Sequence, residues 1–131
     1  MFIDIPSDII HIRKVSSDIL SSLSSRGVAE DKLFDIRLCA EEAVRNAIVH
    51  GNQGNKRLRV KVACWVDGDK VFIEIEDEGE GYDPKSVPDP RGDNGIMKES
   101  GRGMFLIRKL MDKVDFNEKG NKIRMEKKLW P

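Results

Sequence analysis

The sequence shows no excess of either charge, since 23 lysines and arginines balance 23 aspartates and glutamates among 131 residues. Nucleic-acid binding depends on a basic surplus that neutralises phosphates, so the balance argues against a direct nucleic-acid partner. No apolar run approaches the roughly 20 residues of a membrane-spanning helix, and the N-terminus lacks the basic start and apolar core of a signal peptide. We therefore expect a cytoplasmic protein without a membrane partner.

Cysteine is scarce as well, and the two that occur, Cys39 and Cys64, show neither metal-ligand nor redox-motif spacing. Reduced, buried thiols are the simplest interpretation, and they fit the cytoplasm. A hydrophobic content of 39% and a charged content of 35% suit a globular protein. With no internal repeat and no boundary, the chain is expected to form a single domain, residues 1–131.

The feature around which the chain is organised is a long predicted helix at residues 33–52. Glu42 and Asn46 lie four residues apart, so their side chains share one face of it, and the small Ala43 and Ala47 leave room beside them. A carboxylate can accept a proton, and an amide oxygen is a hard ligand suited to Mg²⁺. Taken alone, the pair fits more simply a solvated glutamate and an asparagine that weakens the helix slightly. The apolar stripe comprises Leu33, Ile36, Ala40, Ala43, Val44, Ala47 and Ile48.

Alternating residues predict two strands after this helix, at residues 58–66 and 71–76, joined by a hairpin turn at Asp67-Gly68. Asp77 follows on the same side as the buried residues of the second strand. A buried charge needs a partner, so an inward Asp77 would have one. The alternative is that the strand has already ended and that Asp77 lies in water, and the alternation does not decide between the two.

Residues 78–103 hold most of the glycine and proline. Gly79 and Gly81 flank Glu80 and permit a positive φ or the close approach of a ligand to the backbone. The loop that follows has little periodicity, and loops of this length inside a compact domain are usually functional lids or disordered segments.

A further helix is predicted to open at Gly101-Arg102-Gly103, with Met104 as the first residue of its apolar stripe. Glycines at a helix start expose backbone N–H groups at the positive end of the helix dipole, which is a ready anion site. Arg102 adds positive charge, and Ser100 is placed to cap the helix. A short strand at residues 2–6, a helix at residues 9–25 that ends before Gly27, and a C-terminal hairpin at residues 114–125 complete the prediction.

Three short segments together resemble the nucleotide-binding boxes of the GHKL ATPase superfamily. The segment EAVRNA at residues 42–47 is similar to its N box, DEGEG at residues 77–81 to its G1 box and GRG at residues 101–103 to its G2 box. The amino-acid sequences of the longer stretches around them resemble those of the bacterial anti-sigma factor serine-protein kinases, and the resemblance covers nearly the whole chain.

This resemblance implies the Bergerat fold, an α/β sandwich of the α+β class with helices on one face of a mostly antiparallel sheet. It implies binding of ATP with Mg²⁺ held at Asn46, Glu42 as general base and Asp77 on the adenine amino group. The nucleotide-binding residues implied are Asn46, Asp77, Gly79, Gly81, Tyr82, Ser100, Gly101, Arg102, Gly103 and Met104. The family often has Gly-Thr before the last strand, with the threonine hydroxyl near the adenine, whereas this chain has Gly120-Asn121 at the matching place.

The implied function is an ATP-dependent serine-protein kinase that is also an anti-sigma factor. Such kinases are homodimers that bind a sigma factor and phosphorylate a serine of an STAS-type anti-anti-sigma protein. Two other interpretations remain open. One is a nucleotide-dependent partner-switching module without phosphotransfer, against which the presence of Glu42 argues. The other is a structural interaction domain in which the three boxes are coincidental.

Overall fold

The computed structural model describes residues 1–80 and 99–131, without the side chains of Glu99 and Ser100. The expectations for Gly81, for Tyr82 and for a lid in the long loop concern residues outside these ranges. Among the described residues, none of the helices combines the length and the apolar content that a bilayer-spanning segment requires.

Five strands form one sheet in the order β1-β2-β3-β5-β4, and every neighbouring pair is antiparallel. Burial alternates along the central strands, so one face of the sheet is apolar and the other faces the solvent. The predicted strands and their inward residues are confirmed. The strands are β1 (Phe2–Pro6), β2 (Arg59–Asp67), β3 (Lys70–Glu76), β4 (Lys113–Phe116) and β5 (Lys122–Lys128).

The helices are α1 (Ile12–Leu23), α2 (Glu30–Asn46) and α3 (Glu99–Leu110). A short 3₁₀ turn capped by the side chain of Asp8 precedes α1. A second 3₁₀ turn, Ser24–Arg26, follows α1 and ends at Gly27, which has φ of 70°. The predicted start of the long helix was three residues late, because its first turn carries acidic residues that suit the helix dipole but give no apolar signal.

One apolar cluster joins the inner face of the sheet to all three helices. Ile19, Ile36, Ile73 and Ile107 lie fully buried in it, one from each of the packed elements. The interpretation of the two cysteines is confirmed, since both are buried and free, and burial raises the pKa of the Cys39 thiol to about 12. The fold is therefore the α+β architecture expected, with its helices over the apolar face of an antiparallel sheet.

The hairpin between β2 and β3 differs by one residue from the prediction. Asp67 pairs with Lys70, so the two central residues of the turn are Gly68 and Asp69 rather than Asp67 and Gly68. Gly68 has φ of 62°, a conformation in which glycine is preferred.

Candidate functional site

The contact between α2 and α3 brings Gly103 against Glu42 and Asn46. A Cβ atom built on Gly103 would lie 2.8 Å from Glu42 Oε2 and 3.2 Å from Asn46 Nδ2. A larger residue at position 103 would displace the end of the Glu42 side chain, so the glycine leaves the carboxylate in its observed place beside Asn46. Segments that are far apart in the sequence thus meet at the carboxylate and amide that share one face of α2.

Asn46 carries a buried oxygen with an unused hydrogen-bonding capacity. Its Oδ1 atom is shielded from solvent and has no hydrogen-bond partner within the described parts of the chain. Buried polar atoms are nearly always satisfied, and one that is not calls for an explanation. A hard oxygen of this kind fits Mg²⁺, which usually takes only one or two protein ligands and completes its octahedron with phosphates and water.

The surroundings of Asn46 do not form a metal cage of their own. In residues 1–80 and 99–131, histidine, cysteine, aspartate and glutamate side chains nowhere assemble in a group of three that could hold an ion. The single amide oxygen fits a magnesium ion that arrives with a phosphate ligand.

Asp77 follows β3 and points inward against the end of the long helix. A Cβ atom on Gly51 would overlap the Asp77 carboxylate, and one on Gly79 would overlap the backbone carbonyl of Gly51. Both glycines are thus required where the two segments touch. Of the two positions left open by the sequence, the inward one is observed.

The Asp77 carboxylate is half-buried and accepts a hydrogen bond from the Gly79 N–H, with a distance of 2.8 Å between Gly79 N and Asp77 Oδ1. Burial raises the pKa of Asp77 above its ordinary value, and the hydrogen bond from Gly79 partly offsets the effect. Since a carboxylate offers about four acceptor positions, the group keeps capacity for a further donor.

Two asparagines hold the backbone around Asp77. Asn121 Nδ2 donates to the Asp77 carbonyl oxygen at 2.9 Å, and the Asp77 N–H donates to the Asn121 carbonyl oxygen at 2.9 Å. Asn52 Oδ1 accepts from the Glu78 N–H at 2.8 Å. The side chain that stands in the family's threonine position is therefore engaged with the backbone of Asp77.

A π-helical segment, Ala47–Gly51, connects the two halves of the site. It begins directly after Asn46 and ends at Gly51, the residue in contact with Asp77. Segments of this type are rare and are frequently found at functional sites. Gly51 at its end and Asn52 directly after it contact the residues that follow β3.

The start of α3 differs from the prediction for Ser100. The helix already includes Glu99, so Ser100 lies inside its first turn and is not the cap. Gly101 is the third residue of the described helix. Gly103 is the fifth, so the helical pattern pairs its N–H with the Glu99 carbonyl, and its main contribution is the space it leaves beside Glu42.

The remaining predicted positions are distributed as follows. Arg102 is exposed on α3, and Met104 is 4% exposed within the core, as its place in the apolar stripe requires. Contacts of either residue with a nucleotide remain predictions. Sequence reasoning missed Gly51, interpreted only as a helix end, and Asn52, interpreted as part of a polar loop.

Comparisons with known proteins identify the family of the domain. Residues 5–127 match a family described as the histidine kinase-like ATPase domain. The serine-protein kinase RsbW of Staphylococcus epidermidis is 30% identical over 131 aligned positions, which cover 94% of this chain and 82% of that protein. The serine-protein kinase RsbW of Staphylococcus aureus strain MSSA476 is 28% identical with the same coverage.

Two solved structures share the fold. The RsbU and RsbW domains of a Mycobacterium tuberculosis protein align with a TM-score of 0.63 and 18% identity, covering 100% of this chain and 33% of that one. The histidine kinase domain of a blue-light activated histidine kinase from Erythrobacter litoralis aligns with a TM-score of 0.60 and 16% identity, covering 95% of this chain and 61% of that one. At these identities the likeness concerns the fold alone.

Proposed function

Because the chain belongs to the histidine kinase-like ATPase family, and within it to the anti-sigma factor serine-protein kinases, we propose that it is itself an ATP-dependent serine-protein kinase. Its protein substrate would be an STAS-domain anti-anti-sigma protein, phosphorylated on serine. Its second partner would be a sigma factor, bound by a cytoplasmic homodimer. The family relationship supports these partners, and the homodimer and its location are proposed on the resemblance alone.

The observation that carries the proposal is the unsatisfied Asn46 Oδ1 beside Glu42. A magnesium ion held at this oxygen would supply neutralisation of the charge that develops during phosphoryl transfer. Asn46 would hold that ion through Oδ1, and Arg102 with the Gly101 amide would bind phosphate oxygens at the start of α3. Such positioning and charge neutralisation are the main requirements of the reaction.

Glu42 would act on the protein substrate. Its carboxylate lies one helical turn before Asn46, close to the metal position but on a separate side chain. The serine hydroxyl oxygen would attack the γ-phosphorus while its proton passes to a Glu42 carboxylate oxygen. The bond from the γ-phosphorus to the β,γ-bridging oxygen would break, and ADP would leave with that oxygen.

Asp77 would recognise the base. An ionised carboxylate accepts a hydrogen bond from the adenine amino group, whereas guanine presents a carbonyl oxygen at the same position and would be repelled. Gly79 and Gly51 would keep the carboxylate in place, since neither position has room for a side chain. Gly81 and Tyr82, which follow in the G1 box, are proposed as further nucleotide contacts on the resemblance alone.

Incubation with γ-labelled ATP, Mg²⁺ and an STAS-domain protein from the same organism tests the proposal. Label should appear on a serine of that protein, and Glu42→Gln should abolish most of it while leaving ATP binding intact. ATP-dependent complex formation without any labelled serine would instead favour the partner-switching module without phosphotransfer.

A further inference from the structure

Asn52 is a buried residue whose side chain and backbone together connect four separate segments of the chain. It is 1% exposed, and its amide makes three hydrogen bonds. Nδ2 donates to Ser7 Oγ at 2.7 Å and to the Arg59 carbonyl oxygen at 3.0 Å, and Oδ1 accepts from the Glu78 N–H at 2.8 Å. Its own backbone N–H donates to the Ala47 carbonyl oxygen at 2.8 Å. The side-chain amide therefore joins the residue after β1, the start of β2 and the residue after Asp77, and the backbone N–H of Asn52 joins these to the π-helical segment.

We propose that Asn52 is a positioning residue for base recognition, which acts through Asp77 and does not itself touch the nucleotide. This inference rests on the proposed function, because it assumes that Asp77 binds adenine. The Glu78 N–H belongs to the peptide group that follows Asp77. A hydrogen bond that fixes this peptide plane also fixes the Asp77 backbone, and with it the direction in which the carboxylate leaves the chain.

Asn52 shares this task with Asn121, because the two side chains hold the N–H and the carbonyl oxygen of the same peptide group. Asn121 holds the peptide groups on either side of the Asp77 Cα through the Asp77 N–H and carbonyl oxygen, and Gly79 donates to the carboxylate. Among the described residues, only Asn52 connects the Glu78 N–H to the π-helical segment, whose last residue contacts Asp77. It does so by accepting from Glu78 with its side chain and donating to Ala47 with its backbone. Loss of this bond would leave a peptide N–H unpaired in a partly buried place. The peptide group would then be held by Asn121 on its carbonyl side, and the Glu78 carboxylate would keep its bond from the Arg59 N–H, so we expect a partial loss of orientation.

The nature of the side chain supports a role beyond packing. An asparagine offers two donors and one acceptor, and here all three functions are used in different directions. Two of the bonds, to Ser7 and Arg59, fix the amide plane within the sheet edge. The third then presents Oδ1 to Glu78 from a support that is itself fixed, which is how surrounding hydrogen bonds orient a functional group.

The test compares Asn52→Ala with Ser7→Ala. Ser7 belongs to the same buried cluster, with its Oγ accepting from Asn52 and donating to the Leu58 carbonyl oxygen at 2.8 Å, but it does not reach Glu78. Both changes should lower stability in urea unfolding. The informative quantity is the ratio of ATP to GTP affinity, measured by calorimetry with Mg²⁺. This ratio is independent of the folded fraction, because unfolded protein weakens both apparent affinities equally.

We expect Asn52→Ala to reduce the ATP preference by roughly 10-fold, as loss of one buried hydrogen bond allows, while Ser7→Ala keeps the original ratio. Asn52→Ser, whose shorter side chain does not reach Glu78, replaces the alanine variant if that variant does not fold. An unchanged ratio in the Asn52 variants, or an equal loss in Ser7→Ala, would overturn the inference. Failure of the unsubstituted protein to bind ATP would refute the proposed function instead.

Discussion

Replacement of Asn46 by leucine should stabilise the empty domain and abolish its binding of Mg²⁺ and ATP together. Leucine has nearly the shape of asparagine but carries no polar atom in its side chain. In the unsubstituted protein Asn46 Oδ1 is buried without a hydrogen-bond partner in the described part of the chain. The substitution therefore removes a polar atom that folding has taken out of water without compensation.

The expected gain follows from the cost of such a group. A buried, unsatisfied polar atom costs about 1–3 kcal/mol, and leucine is the better helix former by a few tenths of a kcal/mol. The two leucine methyl groups would replace the amide oxygen and nitrogen at nearly the same positions, opposite Gly103. We expect the free energy of unfolding to rise by about 1–3 kcal/mol in the absence of ligand, with Tm rising by roughly 2–8 °C per kcal/mol.

Urea unfolding of both proteins, with and without Mg²⁺ and ATP, measures the two effects together. Ligand at 100 times its Kd should stabilise the unsubstituted protein by about 2.7 kcal/mol, and it should not stabilise Asn46→Leu. Ser17→Leu, at an exposed position of α1, controls for helix propensity alone. A leucine variant that is less stable than the unsubstituted protein, or that binds Mg²⁺ and ATP equally well, would refute the role given to the Asn46 oxygen.

Three further substitutions test the packing and charge of the site. Gly103→Ala should gain up to about 1 kcal/mol of helix stability yet displace Glu42, so Tm should hold while phosphotransfer falls; a retained rate would remove the glycine from the site. Gly79→Ala should destabilise by about 1–3 kcal/mol in urea unfolding, because the backbone carbonyl of Gly51 cannot move aside as a side chain can; unchanged stability would contradict that contact. Because burial raises the pKa of Asp77 above 3.8, the empty protein loses stability as the pH rises through that pKa. Asp77→Asn should abolish this loss, so its free energy of unfolding at pH 7 should at least equal that of the unsubstituted protein, while its affinity for ATP falls. A lower free energy of unfolding at pH 7 would count against a destabilising charge at Asp77.

The sequence was sufficient where the signal is local. Alternation along β2 and β3 placed the inward residues correctly, because a strand with one buried face shows a period of two. The spacing of Glu42 and Asn46 placed both on one face of α2, because residues four apart lie on the same side of an α-helix. These features depend on neighbours a few residues away, and the chain carries them without tertiary information.

Features that depend on contacts between distant segments were not accessible in this way. The inward position of Asp77 depends on the room that Gly51 leaves, and the burial of Asn52 depends on partners from β1, β2 and the G1 segment. Ser100 was misplaced because glycine signals the outside of a helix, whereas packing of α3 on α2 carries the helix through Gly101 and Gly103.

Phosphoserine formation on an STAS-domain protein tests the central claim most directly. The purified chain, Mg²⁺, ATP and an STAS-domain protein from the same organism are mixed, and the phosphate is located by mass spectrometry, with Glu42→Gln as the matched control. The account predicts one phosphorylated serine and a rate roughly 10²–10⁴-fold lower in the control, the usual contribution of a positioned acid or base. ATP binding with no phosphoserine, or an equal rate in the control, would contradict it.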